Sequence, residues 1–150
     1  MISIRSLEIR IEPNHDHLEE GATHPTIEFT LDGRDLHEWV HRATPASMAE
    51  THYLGHHAGV DLRALLLGEM AYASDDEPGE FPWEQWGGYT PILGCNCGVV
   101  DCGPLLGRIE VGPDAVTWRG LRDGYQPELD YGLDFRFDRE AYEAAIAAAR

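Results

Sequence analysis

The sequence predicts an α+β domain, a mainly antiparallel sheet with two or three helices packed on it and a helix at the C-terminus. Three observations predict it. Apolar and polar residues alternate near the N-terminus, over 105–118 and over 129–137, the period-two mark of half-buried strands. Helical patterns with capping residues cover Asp35–Ala43 and the last dozen residues. Turn sequences stand at Asp32-Gly33 and at Gly112-Pro113-Asp114, where strands end.

In chain order, Ile2, Ile4, Leu7, Ile9 and Ile11 read as a strand. Its phase slips between Ile4 and Leu7, which predicts a bulge near Arg5-Ser6. Asn14–Pro25 is polar, holds His15, His17 and His24, and reads as a loop. Ile27, Phe29 and Leu31 form a second strand that pairs with the first. Asp35 is placed to cap a short helix to Ala43, with Pro45 just beyond its end. Asp61–Met70 reads as a helix with Leu62, Leu65 and Leu66 on one side, and Asp75–Glu80 as an acidic loop. Trp83, Trp86 and Tyr89 are expected to anchor the segment that contains them. Pro91-Ile92-Leu93 leads into a cysteine-rich loop, and Leu105–Val111 and Ala115–Trp118 form a hairpin. Leu129, Tyr131, Leu133, Phe135 and Phe137 alternate as the clearest strand of the chain. Asp138 then caps a helix with Tyr142, Ile146 and Ala149 on one stripe. The order is strand–strand–helix, a linker, then strand–strand–strand–helix, read as a single domain over 1–150.

The chain has 150 residues and is 43 % hydrophobic, enough for a core without staples. No apolar run approaches membrane-spanning length, so no membrane association is expected. Met1-Ile2-Ser3-Ile4-Arg5 lacks the charged and apolar regions of a signal peptide, which predicts the cytoplasm. Cysteines there stay reduced unless they bind metal or cycle. The net charge is −16, from 27 acidic and 11 basic residues, and every basic residue is Arg. That balance argues against nucleic acid as a ligand, because phosphate neutralisation needs clustered cations. It suits a basic protein partner or a metal cation.

Two motifs carry possible chemistry. All three cysteines fall in Cys95-Asn96-Cys97-Gly98-Val99-Val100-Asp101-Cys102. Cys95 and Cys97 share one face of an extended segment, and Gly98 lets Cys102 fold back toward them. Three zinc ligands from one loop are feasible, with His52, His56 or His57 as the fourth. A thiol oxidoreductase would need a cation or helix N-terminus to lower a thiol pKa, and Asn96, Val99, Val100 and Asp101 supply neither. The remaining reading is a tight, Gly-rich loop packed by small thiols. The second motif is His37-Glu38-Trp39-Val40-His41, an H-E-x-x-H. On a helix its two His share a face and can chelate zinc, with Glu38 as general base on a bound water. Glu50 or Glu69 would have to be the third ligand. The competing reading is an amphipathic helix that buries Leu36, Trp39 and Val40. No G-x-S-x-G, phosphate loop or dinucleotide fingerprint is present.

Pro91-Ile92-Leu93-Gly94-Cys95-Asn96-Cys97-Gly98, Cys102, Leu105-Leu106, Ile109, Val116-Thr117-Trp118 and Phe135-x-Phe137-Asp138-Arg139-x-x-Tyr142 resemble an uncharacterised family of small bacterial proteins. The family is marked by a C-x-C-G…C loop, a V-x-W hairpin and an F-D-x-x-x-Y terminal helix. Asp32-Gly33-x-Asp35-Leu36 fits it too. The chain departs from the pattern at Gly103-Pro104, where an aromatic residue is frequent, and at Leu121, where Phe is expected. The resemblance implies that the cysteine loop belongs to the fold and that the H-E-x-x-H is incidental.

The expected function is a non-catalytic acidic binding domain, immunity- or inhibitor-like, that engages a basic protein partner. Its cysteine loop is structural, with Cys95, Cys97 and Cys102 as zinc ligands if zinc is held. The alternatives are a small zinc-dependent hydrolase using His37, His41 and Glu38, and a thiol oxidoreductase.

Overall fold

The N-terminal apolar run is not one strand but two, and they enter different sheets. In the computed structural model, which describes residues 1–16, 23–44, 53–54, 61–69, 87–95, 104–124, 126 and 130–149, β1 covers Ile2–Ile4 and β2 Leu7–Asp16. The expected bulge at Arg5-Ser6 is therefore a crossing between sheets. The backbone N–H groups of Arg5 and Ser6 both donate to Asp32 Oδ1 at 2.8 Å. Asp32 N–H donates back to the Ser6 carbonyl, also at 2.8 Å. A carboxylate thus takes the place of a sheet partner where the chain leaves the ladder.

β2 pairs antiparallel with β3 (Thr23–Leu31), as expected for the first two apolar runs. The hairpin is longer than the sequence suggests. Residues 14–25 were expected to be a loop, yet His15 lies opposite His24 and Asp16 opposite Thr23. The register shifts between Glu12 and His15, across Pro13-Asn14, where proline has no N–H for the ladder. β3 turns through Asp32-Gly33, both at positive φ (50° and 77°), into β4 (Arg34–Asp35). A two-residue loop with positive φ at both positions matches strand twist and favours Asp-Gly. Helix α1 (Leu36–Ala43) follows directly. Asp35 sits at its N-cap without a side-chain cap bond, because its carboxylate accepts from Arg10 (2.7 Å) and Thr30 (3.0 Å) instead.

The larger sheet has the order β1-β9-β8-β7-β6-β5, with β5 at Tyr53–Leu54, β6 at Thr90–Cys95, β7 at Leu105–Val111, β8 at Ala115–Asp123 and β9 at Phe135–Asp138. Its pairs are antiparallel except β1 with β9. Leu129 lies outside the described residues; from Tyr131 the expected alternation keeps its burial pattern, with Tyr131, Leu133, Phe135 and Phe137 buried, but only Phe135–Asp138 is a ladder strand. A bulge in β8 is the reason. The β7–β8 register shifts between Leu106 and Arg108, Gly120 adopts φ 62°, and Leu121 bonds to residues 131 and 133 instead of continuing the regular pattern.

Helix α2 (Leu62–Leu66) is shorter than expected. Asp61 accepts from Ala64 N–H at 3.1 Å at its start, and the chain turns away at Gly68. Helix α3 (Arg139–Ala148) is capped as expected, Asp138 accepting from Ala141 N–H at 3.0 Å. The core lies where the two sheets and the helices meet. Ile9, Ile27, Phe29 and Leu31 face Val116, Trp118, Phe135 and Phe137, with Leu65, Leu66 and Tyr142 completing it. Among the described residues, no helix is long and apolar enough to cross a membrane.

Candidate functional site

Helix α1 is positioned by its apolar flank. Leu36 and Val40 are fully buried. Trp39 lies edge-on to Phe135, with centroids 5.4 Å apart, and its Nε1–H donates to the Leu31 carbonyl at 3.1 Å. Arg34 lies over that indole, 4.5 Å from the ring centroid. These contacts fix the roll of the helix and set His37 against the face of β3 that points away from the core.

That face carries Thr26, Glu28 and Thr30, the alternates of core-facing Ile27, Phe29 and Leu31. Alternation alone makes it a solvent face, but Thr26 is fully buried and Glu28 is 6 % exposed. Glu28 Oε1 accepts from Thr26 Oγ1 at 3.2 Å, and Oε2 lies 3.5 Å from His37 Nδ1. Arg10 is directly opposite Glu28 in the ladder and reaches Asp35. A buried carboxylate beside an imidazole orients the ring through its Nδ1 side. The chemistry on offer is one held imidazole with a carboxylate behind it.

The other members of the H-E-x-x-H are placed differently. Glu38 lies on the neighbouring flank, bonded to Arg42 Nη2 at 2.8 Å. His41 is exposed, one turn beyond His37. Glu69, a suggested third ligand, follows the end of α2 and is exposed. Among the described residues, no group of three or more His, Cys, Asp or Glu could hold a metal ion. Cys95 is the last residue of β6, its backbone opposite Tyr53. Cys97, Cys102, His52, His56, His57, Glu50, Trp83, Trp86 and the acidic stretch 75–80 lie outside the described residues.

Glu28 is the residue that sequence reasoning passed over. The available signal was its phase with Thr26 and Thr30, and phase cannot show that a sheet face is covered. No family model matches this chain, and neither does any curated protein or solved structure.

Proposed function

We propose that this chain is a non-catalytic acidic binding domain whose partner is a basic protein, in the manner of an immunity protein or inhibitor. One observation supports this best: the arginines are largely engaged within the molecule. Arg10, Arg42, Arg63, Arg119, Arg122 and Arg139 each pair with an Asp or Glu of the same chain. With 27 acidic residues against 11 arginines, even complete pairing one to one leaves a large excess of negative charge. Such a field draws in a cationic partner and acts mainly on its association rate. The cysteine loop is structural in this reading, with Cys95, Cys97 and Cys102 holding it together with or without zinc.

The test is affinity capture on the untagged chain, followed by titration of each captured protein. The expected result is a basic protein bound one to one. Its association rate constant should fall about tenfold or more from low to physiological salt. Partners without a basic bias, or a salt-indifferent rate, would sink the reading.

A zinc-dependent hydrolase keeps one observation in its favour, the His37 ring set against the buried Glu28 carboxylate through Nδ1. It requires Glu38 to leave Arg42. Metal analysis of the untagged protein separates the readings. The hydrolase predicts zinc that is lost in His37→Ala and His41→Ala and retained, without activity, in Glu38→Gln. A zinc-loaded cysteine loop predicts that Cys95→Ser lowers both zinc content and stability.

A further inference from the structure

The outer face of the larger sheet departs from the acidic character of the chain. Thr90 pairs with Gly107, so Tyr89 stands beside Arg108 at the end of that ladder. Arg108 lies opposite Arg119, and Arg122 opposite Leu106, across the β7–β8 bulge. Two guanidinium groups meet the Tyr89 ring: Arg108 Cζ is 4.8 Å and Arg122 Cζ 4.9 Å from its centroid. Backbone carbonyls hold both, Gly87 accepting from Arg108 Nη2 at 3.3 Å and Gly120 from Arg122 Nε at 3.1 Å. Missing side chains make the room. A Cβ at Gly88 would stand 3.2 Å from Arg108 Nη1, and one at Gly120 would stand 3.4 Å from Arg122 Nη2 and 3.5 Å from the Tyr89 hydroxyl.

Arg122 also reaches Asp130 Oδ2 at 3.3 Å, and Arg119 reaches Glu110 at 3.4 Å. Arg108 is different. It is exposed, and among the described residues its contacts are a carbonyl and an aromatic ring, with no carboxylate. Arg5 and Arg136 are also exposed, but Arg108 is held in place by a ring and a carbonyl rather than by a carboxylate. Stacking and the carbonyl bond fix the guanidinium plane and leave further N–H groups of Arg108 and the Nη1 of Arg122 for another acceptor. The arginine fork matches a phosphate oxygen pair, and two such cations on one ring suit a doubly charged anion better than a single carboxylate. The overall negative field is screened within about 8 Å at physiological salt, so the local charges decide at contact: Arg108 and Arg122 against the single carboxylate of Asp130.

We propose that Tyr89, Arg108 and Arg122 form a binding site for a phosphate group, free or esterified, on this face. It lies apart from the α1–β3 site and does not depend on the binding function proposed above. The experiment titrates the ¹⁵N-labelled full chain with inorganic phosphate, phenyl phosphate and acetate in parallel at constant ionic strength. Saturable shifts are expected at the Arg108 and Arg122 Nε–H signals and at the amides of Gly88, Tyr89 and Gly120. Acetate should bind at least about tenfold more weakly. Tighter binding of phenyl phosphate assigns the site to an ester, and tighter binding of the inorganic ion assigns it to free phosphate. Arg108→Gln should weaken phosphate by about tenfold, the loss of one charge-assisted hydrogen bond. Arg108→Lys should lose nearly as much, since it keeps the charge but not the fork. Unsaturable shifts in the parent chain, equal binding of acetate, or full affinity in Arg108→Lys would each overturn the proposal.

Discussion

Trp118 is fully buried among four aromatic rings. Phe29, Phe135, Phe137 and Tyr142 have ring centroids 5.8, 6.4, 4.8 and 6.4 Å from it. Its indole N–H needs an acceptor when buried, and Tyr142 Oη supplies one at 3.0 Å. Tyr142 in turn donates to the Leu66 carbonyl, which ties α3 to α2 through one hydroxyl. Tyr142→Phe strands the indole N–H and that carbonyl, so it should cost about 2 kcal/mol in urea denaturation at pH 7. Burial drives the Tyr142 phenol well above its ordinary value, and the Trp118 hydrogen bond opposes this only in part. A folded pKa above the unfolded one gives stability that is complete below the unfolded value, about 10, and declines as pH rises beyond it. The stability gap between parent and Tyr142→Phe should therefore narrow above pH 10. A gap that widens there would contradict the assignment.

At the scale of elements, Asp32 decides where the N-terminal segment divides. Its carboxylate holds two backbone N–H groups at the crossing between sheets, and its φ of 50° belongs to the turn that starts β4. Asp32→Ala removes the acceptor and places a less suited residue at positive φ. A loss of about 2 kcal/mol is expected, with faster hydrogen exchange at the Arg5 and Ser6 amides. Asp32→Asn keeps an acceptor and tolerates the conformation, so most of that stability should return. An alanine variant as stable as the parent would show that water replaces the carboxylate at no cost. A second inter-element tie is Glu143 on α3. Arg63 of α2 bonds it at 2.8 Å and Arg139 approaches at 3.4 Å. The Arg63 hydrogen bond, aided by the charges of Arg139 and Arg63, holds the Glu143 carboxyl below its ordinary value despite some desolvation. Its contribution is present above the unfolded carboxyl pKa and is lost as pH falls through the folded one. In Glu143→Gln the difference from the parent should fade on acidification, as followed by thermal denaturation from pH 7 to pH 3.

For the whole molecule, a net charge of −16 repels itself and opposes compactness. Raising sodium chloride from low to physiological concentration at pH 7.5 should raise the melting temperature by roughly 2–4 °C, equivalent to about 1 kcal/mol. A fall with salt would mean that the intramolecular ion pairs outweigh the repulsion. Charge is also distributed unevenly. The outer face of the larger sheet gathers Arg108, Arg119, Arg122 and Arg136 on neighbouring strands, while the chain as a whole is acidic. A count of residues shows the excess of acid but not this concentration of arginine, because it arises from pairing between strands.

The α+β class, the β7–β8 hairpin, the amphipathic α1 and the capped α3 were determined by the sequence itself. Each rests on short-range periodicity, a turn or a cap, and these act within a few residues. The tertiary structure decided what depends on distant partners. It divided Ile2–Ile11 between two sheets, because Asp32 takes up the freed amides and β9 offers β1 a parallel edge. It left 131–134 out of the ladder and confined the strand to Phe135–Asp138, because the Gly120 bulge changes what β8 presents. It also buried Glu28 behind His37 and set two arginines against Tyr89. Strand alternation assigns a residue to a face, but only the assembled fold determines whether that face is covered and which charges meet on it.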